Sequence, residues 1–151
     1  MKPTVGALKQ FQVGSLKVQI HSSRELAGEA AAQAAVRSLR DLATRKSTVG
    51  VVFATGASQI ATLGAMTSIP GAPWDQVVGF HMDEYVGISP ENPASFRHYL
   101  RERLTRRVRL HEFHEIDATS PDSARTCAEY ASLLRGHDPQ LCLLASARTA
   151  T

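Results

Sequence analysis

The stretch VGVVFATGAS, from Val49 to Ser58, joins a continuous apolar run to a short polar turn. The run Val49–Ala54 shows no alternation of polar and apolar residues, which is typical of a strand buried on both faces of a parallel sheet. A helical pattern from Gln59 to about Ser68 follows the turn, so the stretch predicts a strand–turn–helix unit. The fold class depends on whether such units recur along the chain.

Similar units lie on both sides of this one. Further strands are predicted at Leu16–His21, Val77–His81, Glu112–Ile116 and Leu141–Leu144, the last of them buried. Helix signals lie between the strands. A capping box at Ser22 and Glu25 begins a helix to about Arg45, and Asn92 with Pro93 begins the helix of an arginine-rich segment. Ser120–Asp122 begins a helix to about Arg135, which Gly136 is predicted to stop. This order of elements predicts an α/β fold with a doubly wound, mostly parallel, Rossmann-like sheet.

Composition indicates the class of protein. A chain of 151 residues, 43% hydrophobic and 21% charged, is long enough for one globular domain with a core. No apolar run approaches the roughly 20 residues that span a bilayer, and the N-terminal MKPTVGALKQFQVG lacks the apolar region of a signal peptide. Cys127 and Cys142 fall in a predicted helix and strand, so we expect small core residues in a reduced, cytoplasmic protein.

The net charge of +3 is modest, but arginines are concentrated in one segment. Phe96, Leu100 and Leu104 have helical spacing there, which predicts that they face a core while most arginines face solvent. Aromatic residues do not interleave with the arginines as a stacking platform for bases would require. The segment therefore predicts a solvated helix face and no nucleic-acid partner. Its arginines are Arg97, Arg101, Arg103, Arg106, Arg107 and Arg109.

Polar loops follow two of the predicted strands, where open α/β sheets bind their ligands. The first loop, Thr55-Gly56-Ala57-Ser58, offers two hydroxyls, a glycine and the start of a helix, which suit a phosphate or another anion. It is neither a Walker loop nor a dinucleotide fingerprint, because GxxxxGK[ST] and GxGxxG are absent. The alternative is that Thr55 or Ser58 only caps the helix.

The second loop, Asp83-Glu84-Tyr85, follows the predicted strand Val77–His81 directly. A pair of acids on a surface is usually just solvated, which is the alternative to a functional role. At the end of a buried strand, however, Asp83 is expected to be partly desolvated, which raises the pKa of a carboxyl and makes it a usable general base. A base beside an anion-binding loop indicates proton abstraction from a phosphorylated small molecule.

The segment His111-Glu112-Phe113-His114-Glu115 resembles a zinc motif only in composition. The motif HExxH needs histidines at i and i+4 of a helix, whereas His111 and His114 are three apart in a predicted strand and lie on opposite faces. His81 is interpreted as a residue that shapes the acidic loop. The prediction is therefore that the protein holds no metal and no cofactor.

FATGAS, FHMDEYVGI and NPASFRHYL, in this order and spacing, resemble the glucosamine-6-phosphate deaminase family, which is related to 6-phosphogluconolactonase. The resemblance extends from about Arg24 to Leu144 and implies ring opening of an aminohexose phosphate, proton transfer between C2 and C1, and release of ammonia. It assigns the proton transfer to Asp83 and substrate binding to Thr55, Gly56, Ala57 and Ser58, with Glu84 and Tyr85. Gln59 and His81 depart from the proline and asparagine common in the family.

The C-terminus departs further from this family. After the strand that matches LCLL, members carry a loop close to GIGENGHLAF, whose histidine assists ring opening, whereas this chain reads Ala145–Thr151, ASARTAT. The codons GGC ATC GGC GAG AAC GGC CAC for GIGENGH, with one G deleted from the first, encode Ala-Ser-Ala-Arg-Thr-Ala and then Thr. The hypothesis is that residues 1–144 are an incomplete, N-terminal portion of a larger sugar-phosphate isomerase/deaminase-like domain and that 145–151 are a frameshifted tail.

Three functions therefore stay open. The first is amino-sugar phosphate metabolism, with deaminase-like conversion of an aminohexose 6-phosphate to a ketose 6-phosphate, impaired or absent in the chain as written. The second is a non-catalytic fragment or sugar-phosphate binding module, and the third is a 6-phosphogluconolactonase-like hydrolase. In each case the expected partner is a small sugar phosphate, with no nucleic acid and no membrane. The resemblance also implies a homo-oligomer for a full-length protein.

Overall fold

A computed structural model of the chain describes residues 6–144, and the predicted tail at 145–151 lies outside them. The main sheet has four parallel strands in the order β5-β4-β3-β6, which confirms the predicted α/β fold. Its strands are β3 (Val49–Phe53), β4 (Val77–His81), β5 (Glu112–His114) and β6 (Leu141–Leu143). The helices are α1 (Arg24–Ala43), α2 (Gln59–Ser68), α3 (Phe96–Leu100, continued by a π-helical turn Arg101–Thr105) and α4 (Ser123–His137).

The two central strands form the middle of the core. The bounds predicted for α2 and β4 are the observed ones, and β3 is one residue shorter than predicted. Alternate residues of these strands point to opposite faces, so Val51 and Phe53 pack in one cluster with α1 and α2. Leu100 and Leu104 join this cluster, as their spacing predicted. Phe80 lies on the opposite face, where its ring packs against Tyr130 of α4.

The first predicted strand exists but does not belong to the main sheet. It is β2 (Leu16–Ile20), and it pairs antiparallel with β1 (Lys9–Val13), a strand that the sequence pattern did not predict. Leu16–Ile20 alternates apolar residues with Lys17 and Gln19, which suits a hairpin with solvent on one face better than a buried parallel sheet. Placing this strand in the sheet was therefore wrong.

Two helices begin at different residues from those predicted. The cap of α1 is Ser23, not Ser22: its hydroxyl accepts a hydrogen bond from Leu26 N at 3.2 Å. Asn92 and Pro93 precede a turn, and α3 begins only after Ser95. Both regions contain several residues that can cap a helix, so local composition could not choose between them.

The end of α4 also differs from the prediction. The helix continues through Gly136 to His137 and ends at Asp138, which adopts a left-handed conformation with φ 44°. Glycine is the usual residue at such a position because it has no Cβ, but aspartate also tolerates it. Choosing Gly136 as the stop was therefore wrong, because the helix is capped two residues later at Asp138.

The last helix and strand are less buried than predicted. No residue of α4 is buried, and β6 is an edge strand with intermediate or exposed residues. Cys127 and Cys142 are both exposed free thiols, so their assignment to the core was wrong. The reason is that nothing among residues 6–144 covers the outer side of α4 or the free edge of β6. No helix in this range is long and apolar enough to cross a membrane.

The two helices on the core face cross at a glycine. A Cβ built on Gly28 of α1 would lie 2.5 Å from Ala61 Cβ and 2.8 Å from the Ala61 carbonyl carbon. Such distances are incompatible with van der Waals contact, so only glycine permits α1 and α2 to approach this closely. This approach positions the start of α1 beside the loop that begins α2.

Candidate functional site

A cavity of about 830 Å³ lies at the carboxyl ends of β3, β4 and β6. The first predicted loop, from Thr55 to Ser58, lines it, and so does Asp83 of the second loop. The other lining residues come from the start of α1, from α2, from the ends of β3, β4 and β6, and from the first residue of α3: Arg24, Ala27, Gly28, Ala31, Ala54, Gln59, Thr62, Met82, Phe96, Cys142, Leu143 and Leu144. Five of the seven predicted site residues therefore share one cavity.

The loop Thr55–Ser58 is held in shape through its own backbone. Gly56 has φ 110°, a conformation that residues with a Cβ rarely adopt. Its carbonyl accepts hydrogen bonds from the Tyr99 hydroxyl at 2.9 Å and from Gln59 N at 3.0 Å. The Ser58 side chain makes no capping hydrogen bond to α2. The alternative that Ser58 is only a helix cap is therefore wrong, and its hydroxyl is available to a ligand in the cavity.

Asp83 lines the cavity but is more exposed than expected. The residue after it is partly buried, whereas Asp83 itself is classed with the exposed residues. The expected partial desolvation of its carboxylate is therefore wrong for residues 6–144. It lines the same cavity as the Thr55–Ser58 loop, however, as a base acting on a bound ligand would need to.

Glu84 has a different environment from its neighbour. Its side chain is fully buried, and its carboxylate accepts hydrogen bonds from Ser95 Oγ at 2.7 Å, Phe96 N at 3.0 Å and Arg97 N at 2.9 Å. Burial by itself raises the pKa of this carboxyl, but the hydrogen bonds from Arg97, Phe96 and Ser95 outweigh it and leave the pKa below its usual value. Glu84 thus caps α3 as an anion.

The cap is completed by a buried arginine. The Arg97 side chain is 6% exposed, its Nε lies 3.5 Å from Glu84 Oε2, and its Nη2 donates to the Ile88 carbonyl at 2.7 Å. Three of the six arginines of the segment are exposed, two are partly buried, and Arg97 is buried, so the predicted solvated face holds only in part. The pair ties the second site loop to the start of α3. Because the charges neutralise each other, the site loop is held without a free buried charge.

Tyr85 is the other predicted site residue away from the cavity. It is 56% exposed, and its ring packs on Phe96 with centroids 4.9 Å apart. Neither Tyr85 nor Glu84 lines the cavity among the described residues. Contact of either side chain with a substrate stays a prediction, whereas their contacts with α3 are direct.

His81 is the last residue of β4 and lies just before the acidic loop. Its ring is fully buried, and neither ring nitrogen has a hydrogen-bond partner within residues 6–144. Burial lowers the pKa of this imidazole, although Glu84 and Asp83 nearby favour its protonated form. His81 is therefore neutral at neutral pH. Its backbone N–H donates to the Tyr130 hydroxyl at 2.7 Å, which fixes the end of β4.

Three residues at the site were missed by the sequence analysis. Arg24 is the basic residue that lines the cavity, at the first position of α1. Tyr99 holds the Gly56 carbonyl, and Tyr130 holds both His81 and the His114 carbonyl, the latter at 3.1 Å. Burial raises the pKa of both tyrosines, so they stay protonated as donors. Their helical positions gave no signal, because only the fold brings them to these strand ends.

The lining groups define what the cavity can bind. Arg24, the Ser58 hydroxyl and the N-terminus of α2 can stabilise an anion at one side. The carboxylate of Asp83 can accept a proton or a hydrogen bond at the other. The arrangement suits a phosphorylated, hydroxyl- or amine-bearing small molecule.

Known proteins resemble this chain in sequence over part of its length and in fold. The chain matches no model of a known protein family. It is 30% identical over 115 residues to glucosamine-6-phosphate deaminase of Arthrobacter sp. strain FB24, a match that covers 71% of this chain and 44% of that protein.

Two solved structures share the fold. A monomeric glucosamine-6-phosphate deaminase matches with a TM-score of 0.70 and 17% identity, over 78% of this chain and 49% of that one. A 6-phosphogluconolactonase from Shewanella baltica matches with a TM-score of 0.64 and 16% identity, over 74% and 48% respectively. The chain spans less than half the length of each of these proteins.

Proposed function

The chain belongs to the glucosamine-6-phosphate deaminase family, and from this premise we propose that its cavity binds an aminohexose 6-phosphate. The observation that carries the proposal is the shared cavity of Asp83 and the Thr55–Ser58 loop at adjacent strand ends. A carboxylate and an anion-binding loop in one cavity match a substrate with a phosphate at one end and an acidic carbon at the other.

The phosphate is assigned to the wall formed by the loop and Arg24. The guanidinium of Arg24 presents several N–H donors, and the N-terminus of α2 adds a partial positive charge that Ser58 does not cap. Thr55 and Ser58 supply hydroxyl donors beside them. This wall carries no acidic side chain among its described residues, so it favours a dianion.

Asp83 is assigned the proton transfer. With the sugar ring open, its carboxylate removes the proton from C2 and returns it to C1, and water then replaces the amino group with release of ammonia. A positioned general base of this kind contributes about 10²–10⁴-fold to the rate. Asp83 is exposed within residues 6–144, so its carboxylate is accessible to a ligand in the cavity.

The chain as written is proposed to bind better than it turns over. Ring opening needs a second acid–base group, and among the described lining residues Asp83 is the only acid and no histidine is present. We therefore expect saturable binding of glucosamine 6-phosphate with ammonia release far below that of a complete deaminase. If the chain binds the sugar phosphate and releases no ammonia at all, it is a sugar-phosphate binding module.

The test is a calorimetric titration of the 151-residue chain with glucosamine 6-phosphate, alongside a coupled assay for ammonia. Arg24→Gln is expected to weaken binding about tenfold or more, since a hydrogen bond to a charged group is worth about 1.5–3 kcal/mol. Asp83→Asn is expected to leave binding within a few-fold and to abolish any ammonia release. The matched controls are Arg37→Gln and Asp75→Asn, two exposed residues away from the cavity.

The outcomes separate the candidate functions. Absence of saturable binding, or equal effects of Arg24→Gln and Arg37→Gln, would contradict the proposed phosphate site. Hydrolysis of 6-phosphogluconolactone without ammonia release from the amino sugar would favour the lactonase function, which the structural neighbour from Shewanella baltica suggests. Titration with unphosphorylated glucosamine measures how much of the affinity depends on the phosphate.

A further inference from the structure

A second group of chemically active side chains lies on the sheet face opposite α1 and α2. It consists of Glu112 and His114 of β5 and His137 in the last turn of α4. One ligand atom of each lies within 4.8 Å of the others. None of the three lines the sugar-phosphate cavity, so the group is independent of the proposed function.

The strand geometry brings the first two residues together. Glu112 and His114 are two apart in β5 and therefore project from the same face. Their register opposite Val78 and Phe80 of β4 puts them on the face that α4 covers. The Glu112 Oε1 and His114 Nε2 atoms are 3.5 Å apart.

The helix supplies the third residue. The His137 ring lies 5.2 Å from the His114 ring and 5.5 Å from the Phe80 ring, measured between centroids. Phe80 also packs against His114 at 4.9 Å, so one buried aromatic side chain orients both histidines. Both rings are thereby held close to Glu112 without a hydrogen bond between them.

One of the two histidines, His114, has a buried ring nitrogen without a hydrogen-bond partner among residues 6–144. This nitrogen is Nε2. A buried polar atom without a partner costs about 1–3 kcal/mol. If the Nδ1 atom of His114 carries the ring proton, Nε2 is an acceptor that only a hydrogen-bond donor or a cation can satisfy.

We propose that Glu112, His114 and His137 bind a Zn²⁺ ion. Two imidazole nitrogens and one carboxylate oxygen are a known ligand set for zinc, with a fourth position left to water. Ligands about 2.0–2.2 Å from a tetrahedral ion lie roughly 3.4 Å apart, which the Glu112–His114 distance of 3.5 Å already meets. A rotation of the His137 side chain closes the remaining gap. The side chain of Glu112 is 51% exposed, which gives the ion a path from solvent.

Such an ion would join the edge strand β5 to the C-terminal turn of α4. This helix has no buried residue, so a metal bond would add to the few contacts that hold it on the sheet. In the segment His111–Glu115, His111 lies next to Glu112 in sequence, whereas the third proposed ligand, His137, lies close to Glu112 and His114 only in space. The predicted absence of a metal considered only ligands close in sequence.

The experiment uses the 151-residue chain without a polyhistidine tag, dialysed against a chelator and then titrated with Zn²⁺ or Co²⁺. One equivalent of Zn²⁺ is expected to bind and to raise the unfolding temperature, and Co²⁺ is expected to give the intense visible absorption of a four-coordinate site. His137→Ala and Glu112→Gln are each expected to weaken Zn²⁺ binding about tenfold or more. His111→Ala and the double change Cys127→Ser with Cys142→Ser are the controls and are expected to leave it unchanged.

Several results would overturn the site. No stoichiometric Zn²⁺ binding by the folded chain would do so, as would loss of binding in the cysteine variant or equal weakening by His111→Ala and His137→Ala. Circular dichroism of each apo variant shows whether it is folded. If His137→Ala does not fold, Glu112→Gln decides, since its side chain is half exposed and keeps its size.

Discussion

The two faces of the main sheet differ in how completely they are covered. On one face, α1, α2 and the continuation of α3 bury a continuous cluster that includes Leu39, Leu63 and Leu104, all 1% exposed or less. On the other face, Phe80 is buried beneath α4, yet α4 itself has no buried residue. The first face therefore carries a complete core, whereas the second is covered by a single helix whose outer side is exposed.

The cavity lies at the carboxyl ends of the strands, and none of its described lining residues comes from α4 or β5. Its Thr55–Ser58 wall belongs to the well-packed face, where Tyr99 and the Glu84–Arg97 pair fix the loops. Its other wall is the end of β6, where Leu144 is 73% exposed. The two site loops are therefore held by contacts with α3, whereas the end of β6 is exposed within residues 6–144. Three predictions test this comparison.

The largest effect is expected at the buried ion pair on the well-packed side. Glu84→Ala removes the cap of α3 and leaves the Arg97 charge buried without its partner. Breaking a buried pair in this way costs about 3–5 kcal/mol, a large share of the roughly 5–15 kcal/mol that stabilise a domain. The free energy of unfolding in urea measures the loss.

The control for this change is Glu102→Ala. Glu102 also pairs with an arginine, Arg106, but both side chains are largely exposed. Such surface pairs are worth about 0–1 kcal/mol. Equal destabilisation by the two changes would mean that Glu84 does not support the loop as its contacts indicate.

The second prediction compares one leucine from each face. Leu63→Ala in α2 removes a side chain that is 1% exposed and is expected to cost about 2–5 kcal/mol through lost burial and a cavity. Leu133→Ala in α4 affects a side chain that is 38% exposed and is expected to cost less than about 1 kcal/mol. Thermal or urea unfolding of both variants measures the difference. A comparable cost at Leu133 would show that α4 is covered in solution, for example by a second copy.

The smallest effects are expected when two glycines of the well-packed face are replaced by alanine. The two replacements are expected to change the free energy of unfolding in opposite directions. Gly28→Ala forces a Cβ against Ala61 of the neighbouring helix and is expected to destabilise by about 1–3 kcal/mol. Gly64→Ala meets open space in α2 and is expected to stabilise by up to about 1 kcal/mol, the difference in helix propensity. Shifts of the same sign in the unfolding temperature would contradict the close packing of α1 on α2.

Much of the candidate site was predictable from local sequence. The bounds of α2 and β4 follow from an apolar run and a helical pattern, and in a parallel sheet these fix where Thr55–Ser58 and Asp83 lie. The roles of side chains within the loops were not predictable. Asp83 and Glu84 are adjacent in sequence, but one is exposed at the cavity and the other is buried under α3.

Local sequence was sufficient to predict the fold class and the positions of the two site loops, because hydrophobic periodicity and turn residues act over a few neighbouring positions. Packing between distant elements decided that β2 forms a hairpin outside the sheet, that Cys142 is exposed, and that Arg24 lines the cavity. It also decided that His137 lies beside Glu112 and His114. The physical reason is that burial and long-range contacts depend on which elements pack together, and residues far apart in sequence carry no local sign of their partners.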